Sequence, residues 1–363
     1  MTADARVAVL NEEERAHWVA FHRVPYIGPA RFAKLREQFG AMQAAWSASS
    51  RELGEVLDQR AVESVARTRA GFDPLAELDR MSRLGISAVT IADAEDPALL
   101  AQIPAPPPVL YVKGALRSDD DAALAIVGTR RSTSYGREVA GRFAAEFAEA
   151  GITVVSGLAR GIDAAAHQAS VESGGRTIAV LGSGVDIIYP PEHKNLAARI
   201  VEQGALVSDY PPGRKPDAPN FPARNRIISG LSLGVVVVEA PARSGTLITV
   251  DFAADQGREV FVVPGSVLSP NSTGGHRLLR DGARLVTCGA DVMDDLRIGE
   301  RKEQAAVQQA LPLTDQERRL LNHVSAEPQH LDELLIAAGL SVAEGSGLVT
   351  MLALKGLIRD AGA

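Results

Sequence analysis

Residues 124–163 read LAIVGTRRSTSYGREVAGRFAAEFAEAGITVVSGLARGID. A short apolar run, Leu124–Val127, stops at Gly128. A helical pattern follows over 136–150. A second apolar run, Ile152–Val155, stops at Ser156-Gly157. The alternation continues with strands at Thr177–Leu181, Leu206-Val207, Val235–Val238, Val260–Val263 and Arg284–Val286, and with helices over 161–173, 193–203, 222–230, 246–256 and 274–281. Strands apolar throughout and rich in β-branched residues belong to a parallel sheet covered on both faces. The pattern predicts an α/β fold: a doubly wound, Rossmann-like parallel or mixed sheet.

On the N-terminal side, apolar residues recur at helical spacing in Trp18-Val19-Phe21, Phe32-Leu35-Phe39 and Leu75-Leu78-Met81-Leu84. Residues 10–90 are therefore expected to be helical. Between the first two groups lies Val24-Pro25-Tyr26-Ile27-Gly28-Pro29-Ala30. Pro29 suits the first turn of a helix, and Gly28 the tight turn before it. This helix, hairpin and helix resemble the helix-hairpin-helix and SAM-like modules, which can offer amides to a phosphate. Pro29 stands where a second glycine is usual, and only Arg31 and Lys34 lie nearby, so a plain helix-packing turn is preferred. The proline-rich stretch 103–108 reads as a connector, Val109–Val112 as an edge strand, and Asp119-Asp120-Asp121 as a solvated turn.

On the C-terminal side, 297–312 lacks apolar periodicity and reads as a linker. Thr314 and Glu317 form a capping box for a helix over 314–324. Helices over 331–338 and 341–354 and a strand at Leu357-Ile358 have the spacing of a winged helix. The stretch SVAEGSGLVTMLAL has no Lys or Arg. A helix reading DNA needs such donors, so contact with protein is expected of this unit. The expected division is a helical SAM-like domain (1–100), a Rossmann-like domain (101–296), a linker (297–312) and a winged-helix-like domain (313–363).

The formal net charge is −7. The distribution matters more than the sum. Residues 125–290 hold 17 Lys and Arg against 15 Asp and Glu, so the centre is the least acidic part of the chain. One cysteine, Cys288, excludes an internal disulfide and any multi-cysteine zinc site, and is expected to be a buried small residue. The N-terminus turns acidic where a signal peptide needs an apolar run, and no stretch of about 18 apolar residues exists, so a cytoplasmic protein without membrane contact is expected.

Ligands of a doubly wound sheet bind at the carboxyl ends of its strands. The loops there are Gly128-Thr129-Arg130-Arg131, Ser156-Gly157-Leu158-Ala159-Arg160-Gly161, Gly182-Ser183-Gly184 leading to Lys194, Asp209–Lys215 leading to Phe221, Arg224 and Arg226, and Arg243-Ser244-Gly245-Thr246. Glycine lets backbone approach a ligand, helix N-termini supply oriented amides, and Arg or Lys adds charge. Repeated along one edge, these loops form an anion-binding rim. The G-x-G-x-x-G with its downstream acid and the G-x-x-x-x-G-K-[ST] loop are both missing, which disfavours NAD, FAD and P-loop nucleotides. His167 and His193 stand outside any ligand-spaced cluster, so no metal and no cofactor is expected. Spaced cations suit an extended polyphosphate such as single-stranded nucleic acid, whose bases stack on aromatics. Phe221 is the best stacking candidate, with a core phenylalanine as its alternative. Tyr135, Tyr189 and Tyr210 are weaker candidates.

Together, Ala125–Arg130, Val155–His167, Ile178–Gly184, Asn220–Leu231, Glu239–Thr249 and Val263-Pro264-Gly265-Ser266 resemble the DNA processing protein A (DprA/Smf) family over most of 105–290. The resemblance implies a homodimer that is not an enzyme. It implies binding and protection of single-stranded DNA, and loading of RecA onto it during natural transformation and recombination, with single-strand-binding protein as a further partner. It implies DNA contacts at Gly128, Arg130, Arg131, Ser156, Gly157, Arg160, Lys194, Lys215, Phe221, Arg224, Arg226, Arg243, Ser244 and Gly245. It implies a dimer contact within 276–285, at His276, Leu278, Leu279 and Leu285.

The alternative is a nucleotide-binding enzyme. Arg243–Thr246 distantly resembles the glycine-rich loop of the nucleotide phosphoribohydrolases, formerly called lysine-decarboxylase-like. Glu239 or Asp163 would then act on the sugar. The two-glycine PGGxGT loop and its following glutamate are missing, since Leu247-Ile248-Thr249 follows here.

Overall fold

The computed structural model describes residues 10–93 and 96–299, and a discontinuous set between 314 and 358. These fall into two compact units, one up to Val292 and the other from Met293 onward.

The first unit is built on a nine-stranded sheet of order β1-β2-β6-β5-β4-β3-β7-β8-β9. Its strands are β1 (Ile86–Thr90), β2 (Val109–Gly114), β3 (Ala123–Val127), β4 (Thr153–Ser156), β5 (Thr177–Val180), β6 (Ala205–Ser208), β7 (Gly234–Val237), β8 (Glu259–Val262) and β9 (Arg284–Leu285). From β6 to β9 all pairs are parallel; β2 runs antiparallel to β6 and to β1. Strands β3 to β7 are buried along their whole length, as a sheet covered on both faces requires.

Alternation divides the core. Leu110, Val112, Ala125 and Val127 face a layer with Ile227, Ile228 and Val250, from α11 (Asn220–Gly230) and α12 (Thr246–Asp255). Val109 and Tyr111 face the other way, into a layer with Val171 of α9 (Ile162–Glu172) and Ile200 of α10 (Lys194–Gln203). Trp18 and Phe21 of α1 (Glu12–Arg23), Phe32 and Leu35 of α2 (Pro29–Phe39) and Met81 of α6 (Pro74–Arg83) join that second layer. The helical segment thus completes a sheet face. Helix α8 (Ser134–Glu149) begins at Thr133, whose side chain accepts from the Gly136 amide, and buries Ala140, Phe143, Ala144 and Phe147 at helical spacing.

Several local expectations change. Residues 86–90 are a strand, not helix. Gly85, at φ +65°, ends α6, and Ile86, Ala88 and Thr90 then turn inward on alternate positions. With β1 outside it, β2 is an interior strand. Asp120 is not a solvated residue, because its carboxylate binds Arg176 at 2.8 Å and Thr153 Oγ1 at 2.8 Å. Pro29 opens α2 as expected, but the left-handed residue in that turn is Tyr26, at φ +71°, not Gly28. Cys288 is half-buried.

Two histidines of this unit pack against buried partners, His167 fully and His22 in part. The Nδ1 atoms of His22 and His167 face Tyr111 Oη at 3.2 Å and Thr177 Oγ1 at 2.7 Å. Burial pulls their pKa values from 6.5 to about 4 and about 3 respectively. Unfolded, both would charge near 6.5; folded, both stay neutral well below it. The unfolded chain therefore binds more protons in between, and stability falls as pH drops below 6.5. Urea midpoints should be lower at pH 5 than at pH 7.5, with a smaller difference in His167→Gln. A midpoint independent of pH over that interval would contradict this.

In the second unit, Thr314 and Glu317 make the expected capping box: the Thr314 amide donates to Glu317 Oε2 at 2.6 Å, and the Glu317 amide to Thr314 Oγ1 at 3.2 Å. The helices Asp315–Leu321 and Leu331–Ala337 enclose a small core of Leu320, Leu335 and Leu352. Residues 300–312 of the expected linker, Leu357 of the expected strand and parts of the helix expected over 341–354 lie outside the described residues.

Candidate nucleic-acid interface

The strand order reverses between β3 and β7. Helices leaving these neighbours cover opposite faces, which opens a crevice at their carboxyl ends. A cavity of about 410 Å³ lies there. Gly128, Arg130 and Arg131 come to it from the loop after β3, Phe221 and Arg224 from α11, and Arg243, Ser244 and Gly245 from the loop before α12. These eight sequence-predicted residues line one cavity.

The loops are fixed to one another by buried carboxylates. Glu239 accepts from the Thr133 amide at 2.9 Å and from Thr133 Oγ1 at 2.6 Å, while its own carbonyl accepts from the Thr129 amide at 2.7 Å. Asp163 Oδ2 accepts from the amides of Gly157 at 3.1 Å and Ala159 at 3.3 Å. Burial raises the Asp163 pKa against the pull of nearby Arg224. Gly161 sits at φ +82°, and a Cβ there would lie 2.3 Å from the Thr129 carbonyl. The second loop therefore passes directly against the first. Both acids considered for catalysis are thus turned toward loop amides.

The cations divide into two groups that sequence does not distinguish. Arg130, Arg131, Lys194, Lys215 and Arg243 are exposed, and none has an acidic partner within 4.0 Å among the described residues. Arg160 binds Glu192 at 2.5 Å, and Arg226 binds Asp209 at 2.8 Å in a half-buried pair. Arg224 is buried: its Nη1 donates to the carbonyls of Gly157, at 2.8 Å, and Val180. Burial lowers its pKa to about 10. Ser156 is buried too, donating to the Ile126 carbonyl at 2.7 Å. His193 Nδ1 faces the Leu158 carbonyl at 2.9 Å, which brings Lys194 beside the second loop.

Phe221 is half-buried. Its ring lies so close over Gly182 that a Cβ there would sit 2.9 Å from Cδ1. Tyr189 packs against it, with ring centroids 5.5 Å apart. The guanidinium of Arg130 stands 5.6 Å from the ring centroid. Tyr135 instead donates to the Pro264 carbonyl at 3.0 Å. Tyr210 is half-buried, and burial raises its phenol to about 12.

Other residues complete the rim. Asn225 Nδ2 donates to the Gly245 carbonyl at 3.4 Å, and Asn271 Nδ2 to the Arg131 carbonyl at 3.0 Å. Asn225 lies within the Asn220–Leu231 stretch that carries the family resemblance; Asn271 had no sequence signal. Away from the cavity, His276 Nε2 faces the Gly265 carbonyl at 3.0 Å, and Leu278 and Leu279 pack on the core. Leu285 is 56% exposed on the edge strand. In the loop after β8, Val267 and Leu268 are 82% and 89% exposed, a feature that apolar patterning could not reveal.

A family model described as DNA recombination-mediator protein A matches residues 87–297. The chain belongs to this family. A second model, the DprA winged helix domain, matches residues 304–362. Protein Smf of Synechocystis is 34% identical, covering 95% of this chain and 96% of its own length. The X-ray structure of DNA processing protein A from Streptococcus pneumoniae superposes with a TM-score of 0.68 at 34% identity, over 78% of this chain and 97% of that one. A structure of DNA processing protein A from Helicobacter pylori, studied for its single-stranded DNA binding mode, gives 0.53 at 28% identity, over 59% of this chain and 96% of that one. The mixed, mostly parallel sheet is thus the architecture of the family. Among the described residues, no helix is long and apolar enough to cross a membrane, and no cluster of three His, Cys, Asp or Glu residues could hold a metal.

Proposed function

We propose that this chain binds single-stranded DNA without regard to sequence, shields it, and hands it to RecA in the cytoplasm during recombination and natural transformation. The observation that carries the reading is the juxtaposition of unpartnered cations and an aromatic face at one crevice. Arg130, Arg131 and Arg243 line the same cavity as Phe221, with Arg130 at its ring, and among the described residues no carboxylate pairs with them. Cations so arranged hold phosphates, and the ring takes a base whatever its identity. The Helicobacter pylori relative, studied for its single-stranded DNA binding mode, supports this. Lys194 and Lys215, in the segments after β5 and β6, extend the track toward that side of the sheet. The inward orientation of Glu239 and Asp163 favours a binding role over catalysis. Leu285, with exposed Val267 and Leu268, suits contact with a second copy. RecA and single-strand-binding protein are the remaining proposed partners.

Titration of labelled single- and double-stranded oligonucleotides tests this. Single strands should bind more tightly, and log K should fall with log salt at a slope of about −3.5 when the five exposed cations Arg130, Arg131, Lys194, Lys215 and Arg243 each hold a phosphate. Equal affinity for duplex, or affinity indifferent to salt, would overturn the reading.

A further inference from the structure

Among the described residues, the helical segment contributes none to the crevice, yet its first helix reaches a loop that the proposed function depends on. Residues 211–215 (PPGRK) follow β6 and carry the exposed cations Arg214 and Lys215 toward α11 and Phe221. Two clasps hold this loop. From the sheet side, Asp186 Oδ1 accepts from the Gly213 amide at 2.9 Å, and the Gly184 amide donates to the Arg214 carbonyl at 2.9 Å. From the helical side, Arg23, the last residue of α1, donates through Nη1 to the Pro212 carbonyl at 3.3 Å. Glu77 of α6 aims that guanidinium. Its Oε1 accepts from Arg23 at 2.9 Å, and the carboxylate accepts from Arg80 Nε and Nη2, each at 2.8 Å. The Phe72 ring stands 5.4 Å from Arg23 Cζ.

We infer that Arg23 is a positioning residue for nucleic-acid binding, and that it sets the place of Arg214 and Lys215 without touching the strand. A guanidinium fixed by a buried carboxylate is a rigid donor, and it meets the loop at the residue before Gly213, whose φ of +87° turns the chain toward the two cations. Without Arg23 the loop keeps one clasp, and its cations spread over more positions. Their interaction with phosphate then weakens although their charge is unchanged. This rests on the single-strand reading above.

The test uses the full chain and a fluorescein-labelled oligothymidylate, with anisotropy as readout. Arg23→Ala should weaken binding about three- to tenfold at low salt, the scale of one lost phosphate contact. Arg23→Lys should recover most of that. In the Arg214→Ala/Lys215→Ala background, adding Arg23→Ala should cost less than about twofold, since the groups it positions are gone. Arg83→Ala, at an exposed pair with Asp79 on α6, should bind as the parent does. Hydrogen exchange gives a readout independent of DNA: the Gly213 and Arg214 amides should exchange faster in Arg23→Ala and in the milder Glu77→Gln. Parental affinity in Arg23→Ala, or an equal loss in both backgrounds, overturns the inference. If the parent itself does not bind single strands, the proposed function fails, while unchanged exchange at Gly213 and Arg214 would refute the clasp on its own.

Discussion

Arg224→Ala is expected to lower the thermal midpoint by about 5–15 °C, corresponding to roughly 3–5 kcal/mol. The guanidinium lies inside the protein and donates to the carbonyls of Gly157 and Val180, at the ends of β4 and β5. Removing it leaves both acceptors without that donor and strips the buried Asp163 of its nearest positive charge. Each effect leaves a polar group short of a partner and carries a desolvation penalty. Arg224→Lys should recover little, because a single ammonium on a flexible stem does not reproduce the planar fork. Binding should fall as well, as a consequence of loosened loops. Differential scanning fluorimetry paired with anisotropy separates this from a direct role. A variant with parental stability and lost affinity would make Arg224 a phosphate ligand, and the framework assignment would be wrong.

Arg224 also marks the limit of what the sequence discloses. The doubly wound sheet was readable because strands such as Ala123–Val127 are apolar at every position, and only a sheet covered on both faces accommodates that. The crevice was readable because glycine and arginine recur where strands end. The short strand Ile86–Thr90 was not. It follows directly on a helix, and its five residues carry only half of an alternating pattern. Nor was the sorting of cations readable. Arg130, Arg160, Arg224 and Arg226 look alike in loops of similar composition. Which of them is left free of a protein partner is decided by Glu192, Asp209 and two carbonyls brought near by tertiary packing. Asp120 has the same history: it reads as one of three surface acids until Arg176, distant in sequence, closes on it.

Phe221→Ala should weaken binding of single strands by about 10- to 100-fold, the range for one base stacked on an aromatic ring. The ring is held in place rather than buried away: Gly182 beneath it, Tyr189 at 5.5 Å and Arg130 at 5.6 Å leave it half-exposed at the cavity. A stacking face carries no charge, so Phe221→Ala should leave the salt dependence unchanged. Arg130→Ala should instead reduce the slope of log K against log salt by about 0.7. The two losses thus differ in kind as well as size. Phe221→Leu keeps most of the apolar volume and removes the π-face; affinity should stay low if stacking dominates and return if packing does. Phe221→Trp should bind at least as well as the parent. Should Phe221→Leu match the parent across homopolymers, the ring would be a packing residue that supports Tyr189 and the Gly182 turn, and the phosphate-holding cations alone would have to account for affinity.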